Sequence, residues 1–273
     1  MPSRNATQKH KHLHVFLDVA VQAARQAGRL QREAFNKPHT ISYKGVSNLV
    51  TEVDHACEAI IVKTIQSSFP DHDFLLEESD FPRQGSPYLW KIDPLDGTTN
   101  YSHRIPHFCS SIALEYNGSP IIGVVLDPIR KEQFTAIRSG GAYLDGKRIR
   151  VSKEHRLIRC VAGTGFPYDI KVARDKNLRR FSRMIFHVQS IRRSGSAALD
   201  LCYVAAGRLD AYWSTQLEPW DFAAGILIVH EAGGCVTNLY GDTPEGTPSS
   251  LAASNGRIHK RFLTALHAGK NVL

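Results

Sequence analysis

The chain is short of the features that usually mark a specialised protein. It has five cysteines in 273 residues, Cys57, Cys109, Cys160, Cys202 and Cys235, odd in number, widely spread and with no C-x-x-C pair. That pattern argues against a disulfide framework or a thiolate zinc site and for a reducing compartment. No apolar run approaches the roughly 18–20 residues of a membrane span. The start, MPSRNATQKHKHLHVF, is polar and basic and lacks the apolar stretch of a secretory signal. Its His10, His12 and His14 read as part of a frayed polar leader rather than as a metal site. Repeats, long linkers, low-complexity tracts and a G-x-S-x-G elbow are all missing. The expectation is a cytoplasmic globular protein.

Acids are outnumbered: Lys+Arg 34 against Asp+Glu 26 gives +8 at neutral pH. Such a surplus either attracts an anionic partner or simply keeps the surface solvated. With 42% hydrophobic and 22% charged residues, the composition excludes a disordered, collagen-like or long coiled-coil chain. The length suffices for one large domain or two sub-domains around a shared core.

Residues 13–36 show an apolar stripe at three- and four-residue steps, Leu13, Phe16, Leu17, Ala20, Ala24, Ala27 and Leu30, which predicts a helix. A second helix is expected over 54–68, ended by Phe69-Pro70. Four β-rich segments follow, DFLLEE, YLWKID, SSIALEY and PIIGVVLD, and Asp145-Gly146 predicts a hairpin turn. Beyond about residue 156 strand and helix alternate: a strand in CVAGTGFP, a helix in SAALDLCYVAAG closed by Gly207, a strand in LDAYW, and a helix in DFAAGILIVHEAGG closed by Gly233-Gly234. Two halves result, an α+β half (1–155) and an α/β half (156–273), forming one compact functional unit of layered sheets and helices.

The most informative stretch runs from Tyr88 to Asn100. An apolar strand leads into Asp93, Pro94 restricts the backbone at an expected turn, and Asp96 follows three residues after the first acid. Two carboxylates so close repel each other unless a cation lies between them, and hard oxygen donors suit Mg²⁺. The carbonyl of Leu95 is a further donor. Gly97 permits close approach of a ligand, Thr98 and Thr99 supply hydroxyls, and a helix starting here would offer free N–H groups to a phosphate. Asp96 as a plain helix cap is the structural alternative. Glu77 and Glu78 fall at an expected strand end. Asp221 opens an apolar helix and Asp54 precedes another, so a simple cap is open for both.

Asp93-Pro-Leu-Asp-Gly-Thr-Thr-Asn100 and Trp220-Asp-Phe-Ala-Ala-Gly…Glu231-Ala-Gly-Gly234 resemble the two signature motifs of the inositol monophosphatase family. Lys44-Gly-Val-Ser-Asn-Leu-Val-Thr-Glu-Val-Asp54, Leu76-Glu-Glu-Ser79 and Gly195-Ser-Ala-Ala-Leu-Asp200 match its other landmarks in the same order. The resemblance extends from about Leu13 to about Leu263. It implies an αβαβα sandwich, Mg²⁺-dependent phosphomonoester hydrolysis, lithium sensitivity and commonly a homodimer.

Carried over by position, the resemblance gives one Mg²⁺ to Glu77, Asp93 and the Leu95 carbonyl, and a second to Asp93, Asp96 and Asp221. Glu77 also contributes to a further, weaker ion. Thr98 orients the attacking water with Asp54 hydrogen-bonded behind it, and the Gly97 and Thr98 amides grip the phosphate. Gly195, Ser196, Ala197, Ser214 and Asp221 face the substrate. Three positions depart from the family pattern. Leu76 replaces a usual Gly, Asn48 a frequent Asp, and Ser214 the glutamate with which inositol-specific members bind sugar-like hydroxyls. The neutral serine weakens the case for inositol selectivity.

The expected activity is therefore hydrolysis of inositol monophosphate or a related sugar phosphate. Fructose 1,6-bisphosphate, adenosine 3′,5′-bisphosphate and histidinol phosphate are alternative substrates. An RNA- or protein-binding regulator that keeps the fold is the alternative from another class, although no arginine-rich arm or nucleic-acid motif supports it. The basic runs Lys147-Arg148-Ile149-Arg150 and Arg192-Arg193 are candidates for attracting a phosphorylated substrate, or plain surface.

Overall fold

The computed structural model describes residues 4–43, 49–166, 176–243 and 250–267. The chain begins with α1 (Arg4–Ala34), β1 (Ile41–Tyr43), β2 (Leu49–Thr51) and α2 (Glu52–Ser68). It continues through β3 (Asp73–Leu76), β4 (Tyr88–Asp96), the short α3 (Thr98–Ser102), β5 (Cys109–Tyr116), β6 (Ser119–Asp127), β7 (Glu132–Ile137), β8 (Gly141–Leu144) and β9 (Lys147–Arg148). The second part comprises β10 (Val161–Thr164), α4 (Lys176–Met184), β11 (Ser190–Arg192), α5 (Ala197–Ala205), β12 (Ala211–Thr215), α6 (Pro219–Glu231), β13 (Cys235–Thr237), β14 (Ser250–Ser254) and α7 (His259–His267).

Two sheets carry the architecture. One has seven strands in the order β3-β4-β5-β6-β7-β8-β9, and the other five in the order β11-β10-β12-β14-β13. Helices α1 and α2 cover one face of the larger sheet, α5 and α6 lie between the sheets, and α4 and α7 pack together beyond the smaller one. The result is an αβαβα sandwich.

Strand alternation explains why each sheet can be covered twice. In β5, Ile112 and Leu114 join Phe16, Ala24 and Ile61 under the first helix layer, while Ala113 between them faces α5 and α6. In β12, Tyr212 faces the central helices while Ala211 and Trp213 face the outer core with Phe262 and Leu266. The central helices are apolar nearly all round because they are sandwiched, as a fully enclosed helix must be.

Several sequence expectations change in detail. α1 begins at Arg4, so the stretch containing His10 and His12 is helical rather than a frayed leader; His14 is exposed. β4 does not turn at Pro94 but runs on to Asp96, with a register shift against β5 between Asp93 and Asp96. A bulge is where a strand tolerates proline, which has no N–H to give the ladder. The chain leaves the strand at Gly97 instead. Asp54 and Asp221 are not helix caps: the capping residues are Thr51 and Glu218, and each aspartate stands three residues into the motif. Asn48 lies outside the described residues. Among the described residues no helix is long and apolar enough to cross a membrane, and all five cysteines are free thiols.

The middle layer sits very close to the large sheet. A Cβ on Gly123, in β6, would stand 2.9 Å from the Ala224 carbonyl oxygen of α6. That obstacle is backbone and cannot swing aside. Gly123→Ala is therefore expected to lower stability by about 1–3 kcal/mol, read as a reduced urea midpoint with an unchanged slope.

Candidate active site

The two signature motifs meet in one pocket, lined by Glu77, Asp93, Leu95, Asp96, Gly97 and Thr98 from the first half and Gly195, Ser196, Ala197, Asp200, Ser214 and Asp221 from the second. Asp54 stands directly behind it. The acids Glu77, Asp93, Asp96 and Asp221, with Leu95, Gly97, Thr98, Gly195, Ser196, Ala197 and Ser214, are thus in a single cleft, which Glu78 and Arg192 do not line. The Lys147–Arg150 run lies elsewhere, whereas Arg193 lines the pocket.

Local structure fixes each acid. Gly97 adopts φ +101°, a left-handed conformation that glycine takes without strain, and it caps the turn of α3. Asp96, at the end of β4, reaches across to the start of α5. Its Oδ2 accepts hydrogen bonds from Ser196 Oγ at 2.6 Å and from the Ala198 amide at 2.7 Å. Asp93 Oδ1 accepts from the Leu95 amide at 3.0 Å. Asp221 Oδ2 accepts from the Glu218 amide at 2.8 Å at the head of α6.

Asp54 has a second task. Its Oδ2 accepts from the Thr51 amide at 2.9 Å and the Thr51 hydroxyl at 2.5 Å, closing a capping box on α2. Its Oδ1 lies 3.1 Å from Thr98 Oγ1, which is equally 3.1 Å from the Leu95 carbonyl. The single hydroxyl proton of Thr98 has two acceptors to choose between. Burial pushes the Asp54 carboxyl up to about 6, against the pull of the Thr51 hydrogen bonds.

Electrostatically the cleft is under strain from its own charge. Burial raises Asp93 well above the usual carboxylate range, and the charges of Glu77, Asp96 and Asp221 raise it further. Asp221 moves the same way, by burial and then by Asp96. Asp96 is raised by burial, and the donors from α5 oppose this. Glu77 and Asp93 share a hydrogen bond, which requires a proton on one of them unless a cation takes its place. Among the described residues no ion pair involves Asp93, Asp96 or Asp221.

A cluster of buried, mutually repelling hard oxygen donors is what Mg²⁺ takes, so the donor set fits that ion. No three His, Cys, Asp or Glu side chains among the described residues form a ready-made metal shell. The hydrogen bonds above hold the acids on separate elements.

Two supporting residues escaped the sequence reading. Gln31 is fully buried and donates from Nε2 to the Pro94 carbonyl at 2.7 Å and to Ser110 Oγ at 3.0 Å, backing the segment between Asp93 and Asp96. It follows Ala20, Ala24 and Ala27 on the apolar stripe of α1, and a polar residue interrupting that stripe was the available signal. Asn100 donates from Nδ2 to the carbonyls of His107, at 2.8 Å, and Ser194, at 2.9 Å, clamping the loop before Gly195 to the first motif. Asn100→Ala removes the side-chain donor from two carbonyls. The expected loss is about 1–3 kcal/mol, measured by urea unfolding.

Comparison with known proteins finds relatives over nearly the whole chain. The family model for the inositol monophosphatase family matches residues 12–270. Inositol monophosphatase 2 of Solanum lycopersicum is 44% identical over 263 residues, covering 92% of this chain and 98% of the relative. The Nus factor SuhB of Pseudomonas aeruginosa is 44% identical over 257 residues, covering 92% and 95%. Among solved structures, the extragenic suppressor protein suhB of Bartonella henselae superposes with a TM-score of 0.90 at 40% identity, covering 93% of this chain and 99% of that one. An IMPase/NADP phosphatase complexed with Mg²⁺ and phosphate gives 0.83 at 25% identity, covering 95% and 98%. The chain belongs to the inositol monophosphatase family, a family of phosphoric monoester hydrolases.

Proposed function

We propose that this protein hydrolyses a small phosphate monoester, inositol monophosphate or a related sugar phosphate, with Mg²⁺ as cofactor and water as direct nucleophile. The observation that carries the reading is the convergence of Glu77, Asp93, Asp96 and Asp221 on a pocket that also holds Gly97 and Thr98. Glu77, Asp93 and the Leu95 carbonyl would hold one Mg²⁺, and Asp93, Asp96 and Asp221 a second, with Glu77 shared by a weaker third. Bound there, Mg²⁺ supplies Lewis acidity, lowering the pKa of water and offsetting charge on the phosphoryl and leaving oxygens.

The chain's own residues do the positioning. The Thr98 hydroxyl orients the water, and the Asp54 carboxylate fixes that hydroxyl by accepting its proton in a hydrogen bond. The amides of Gly97 and Thr98 hold the phosphate oxygens. Gly195, Ser196 and Ala197 border the substrate, and Ser214 with Asp221 faces its alcohol. Water attacks directly and no phosphoenzyme forms; phosphate found covalently attached to the protein during turnover would overturn this step. Uncatalysed monoester hydrolysis is extremely slow, and in-line positioning supplies much of the acceleration. The halves 1–155 and 156–273 act as one unit, since each contributes part of the same pocket.

Phosphate release should be tested with Mg²⁺ on inositol 1-phosphate, fructose 1,6-bisphosphate, adenosine 3′,5′-bisphosphate and histidinol phosphate. Turnover of at least one, inhibition by Li⁺, and a loss of about 100-fold or more in kcat/KM for Asp93→Asn are expected. Turnover of none overturns the reading. A homodimer in the cytoplasm is the expected state, with sedimentation equilibrium giving twice the chain mass.

One observation favours a second reading, that of a regulator: a relative 44% identical carries the name Nus factor. An Asp96→Asn variant that loses phosphatase activity yet complements a deletion strain would favour it. Loss of both would favour the enzyme.

A further inference from the structure

The pocket has two walls of opposite character. Glu77, Asp93, Asp96 and Asp221 make up one. The other is formed where the parallel strands β11, β10 and β12 end side by side, an edge at which α/β sheets commonly bind ligands. Gly163 pairs with Arg192 and Thr164 with Trp213. The next residues, Arg193, Gly165 and Ser214, are therefore neighbours along that edge, and all three line the pocket.

Arg193 is the only cation among the described residues lining the pocket. It is exposed, and its guanidinium makes no hydrogen bond or ion pair with any described residue. The hydroxyls farther along the same edge, Ser214 and Thr215 of β12, are neutral. Asp200 also lines the pocket but is buried, and burial pushes its carboxyl up while the charge of Arg193 draws it down. This wall offers hydroxyls and an exposed positive charge, with the carboxylate of Asp200 buried behind them.

We propose that the alcohol part of the substrate carries a second anionic oxygen group, a phosphate or a carboxylate, and that Arg193 receives it. The proposal rests on the phosphatase reading and narrows its substrate class. A guanidinium matches either group through two parallel N–H···O bonds, a geometry that a neutral ring hydroxyl does not return. The scissile phosphate lies at the acidic wall and the second anion at the strand ends, so the substrate spans the pocket with one anion at each side.

The test compares matched substrates. The kcat/KM of fructose 1,6-bisphosphate is measured against fructose 1-phosphate, and that of 3-phosphoglycerate against glycerol 3-phosphate, under the same Mg²⁺. The expected result is a preference of about tenfold for the member with two anionic groups in at least one pair. The pair that shows it tells phosphate from carboxylate. Arg193→Ala should bring that ratio close to one, Arg193→Gln likewise with the side chain's length kept, and Arg193→Lys should restore it in part. Ratios near one in both pairs for the unmodified protein, or a preference that survives Arg193→Ala, overturn the inference and leave the phosphatase reading standing. Turnover of none of these or the earlier substrates overturns both.

Discussion

The hydrogen bonds from the start of α5 to the Asp96 carboxylate hold the two halves of this protein to a common purpose. Asp96 ends a strand of the large sheet; Ser196 and Ala198 begin a helix of the middle layer. A buried carboxylate without donors would be costly, and a helix start without acceptors leaves amides unsatisfied. Each group removes the other's penalty. The same bonds bring Gly195, Ser196 and Ala197 to the cleft. The pocket therefore exists because two desolvation problems share one solution.

Around that joint the backbone is braced from several sides. Gln31 backs Pro94 from the outer helix layer, Asn100 ties two loops together, and the close seat of α6 on β6 keeps Asp221 opposite Asp93. Such bracing has a physical purpose. Acids that repel one another would spread if their elements were loose, and a cation would then have to gather them at an entropic cost. A scaffold that keeps them near one another before an ion arrives lowers that cost.

Much of this was legible in the residues, and the illegible parts have specific causes. The apolar stripe of α1, the Asp145-Gly146 hairpin and the enclosed helices α5 and α6 stood out because burial imposes a strong pattern. The spacing of Asp93 and Asp96, with Gly97 after them, pointed at the site because few structural needs place two acids there. β7 and β11 were missed: one mixes polar and apolar residues, the other has three residues. α4, KNLRRFSRM, carries too few apolar residues to announce a helix. Extension of β4 through Pro94 was hidden because proline normally argues against a strand, and a bulge is visible only when the partner strand is known. Gln31 reaches the Pro94 carbonyl and Asn100 that of Ser194, both far away in sequence, which no local spacing encodes.

The double engagement of Asp54 has an evolutionary consequence. One carboxylate closes the capping box of α2 and meets the Thr98 hydroxyl. A change at this position is felt at once as a weaker helix start and a freed Thr98 hydroxyl, so the start of α2 and the floor of the pocket cannot be altered separately there. The side chains at the strand ends, where we propose that the substrate's alcohol part is received, have no such tether. Within this architecture the lining at the strand ends is free to vary long before the floor beneath Thr98 is.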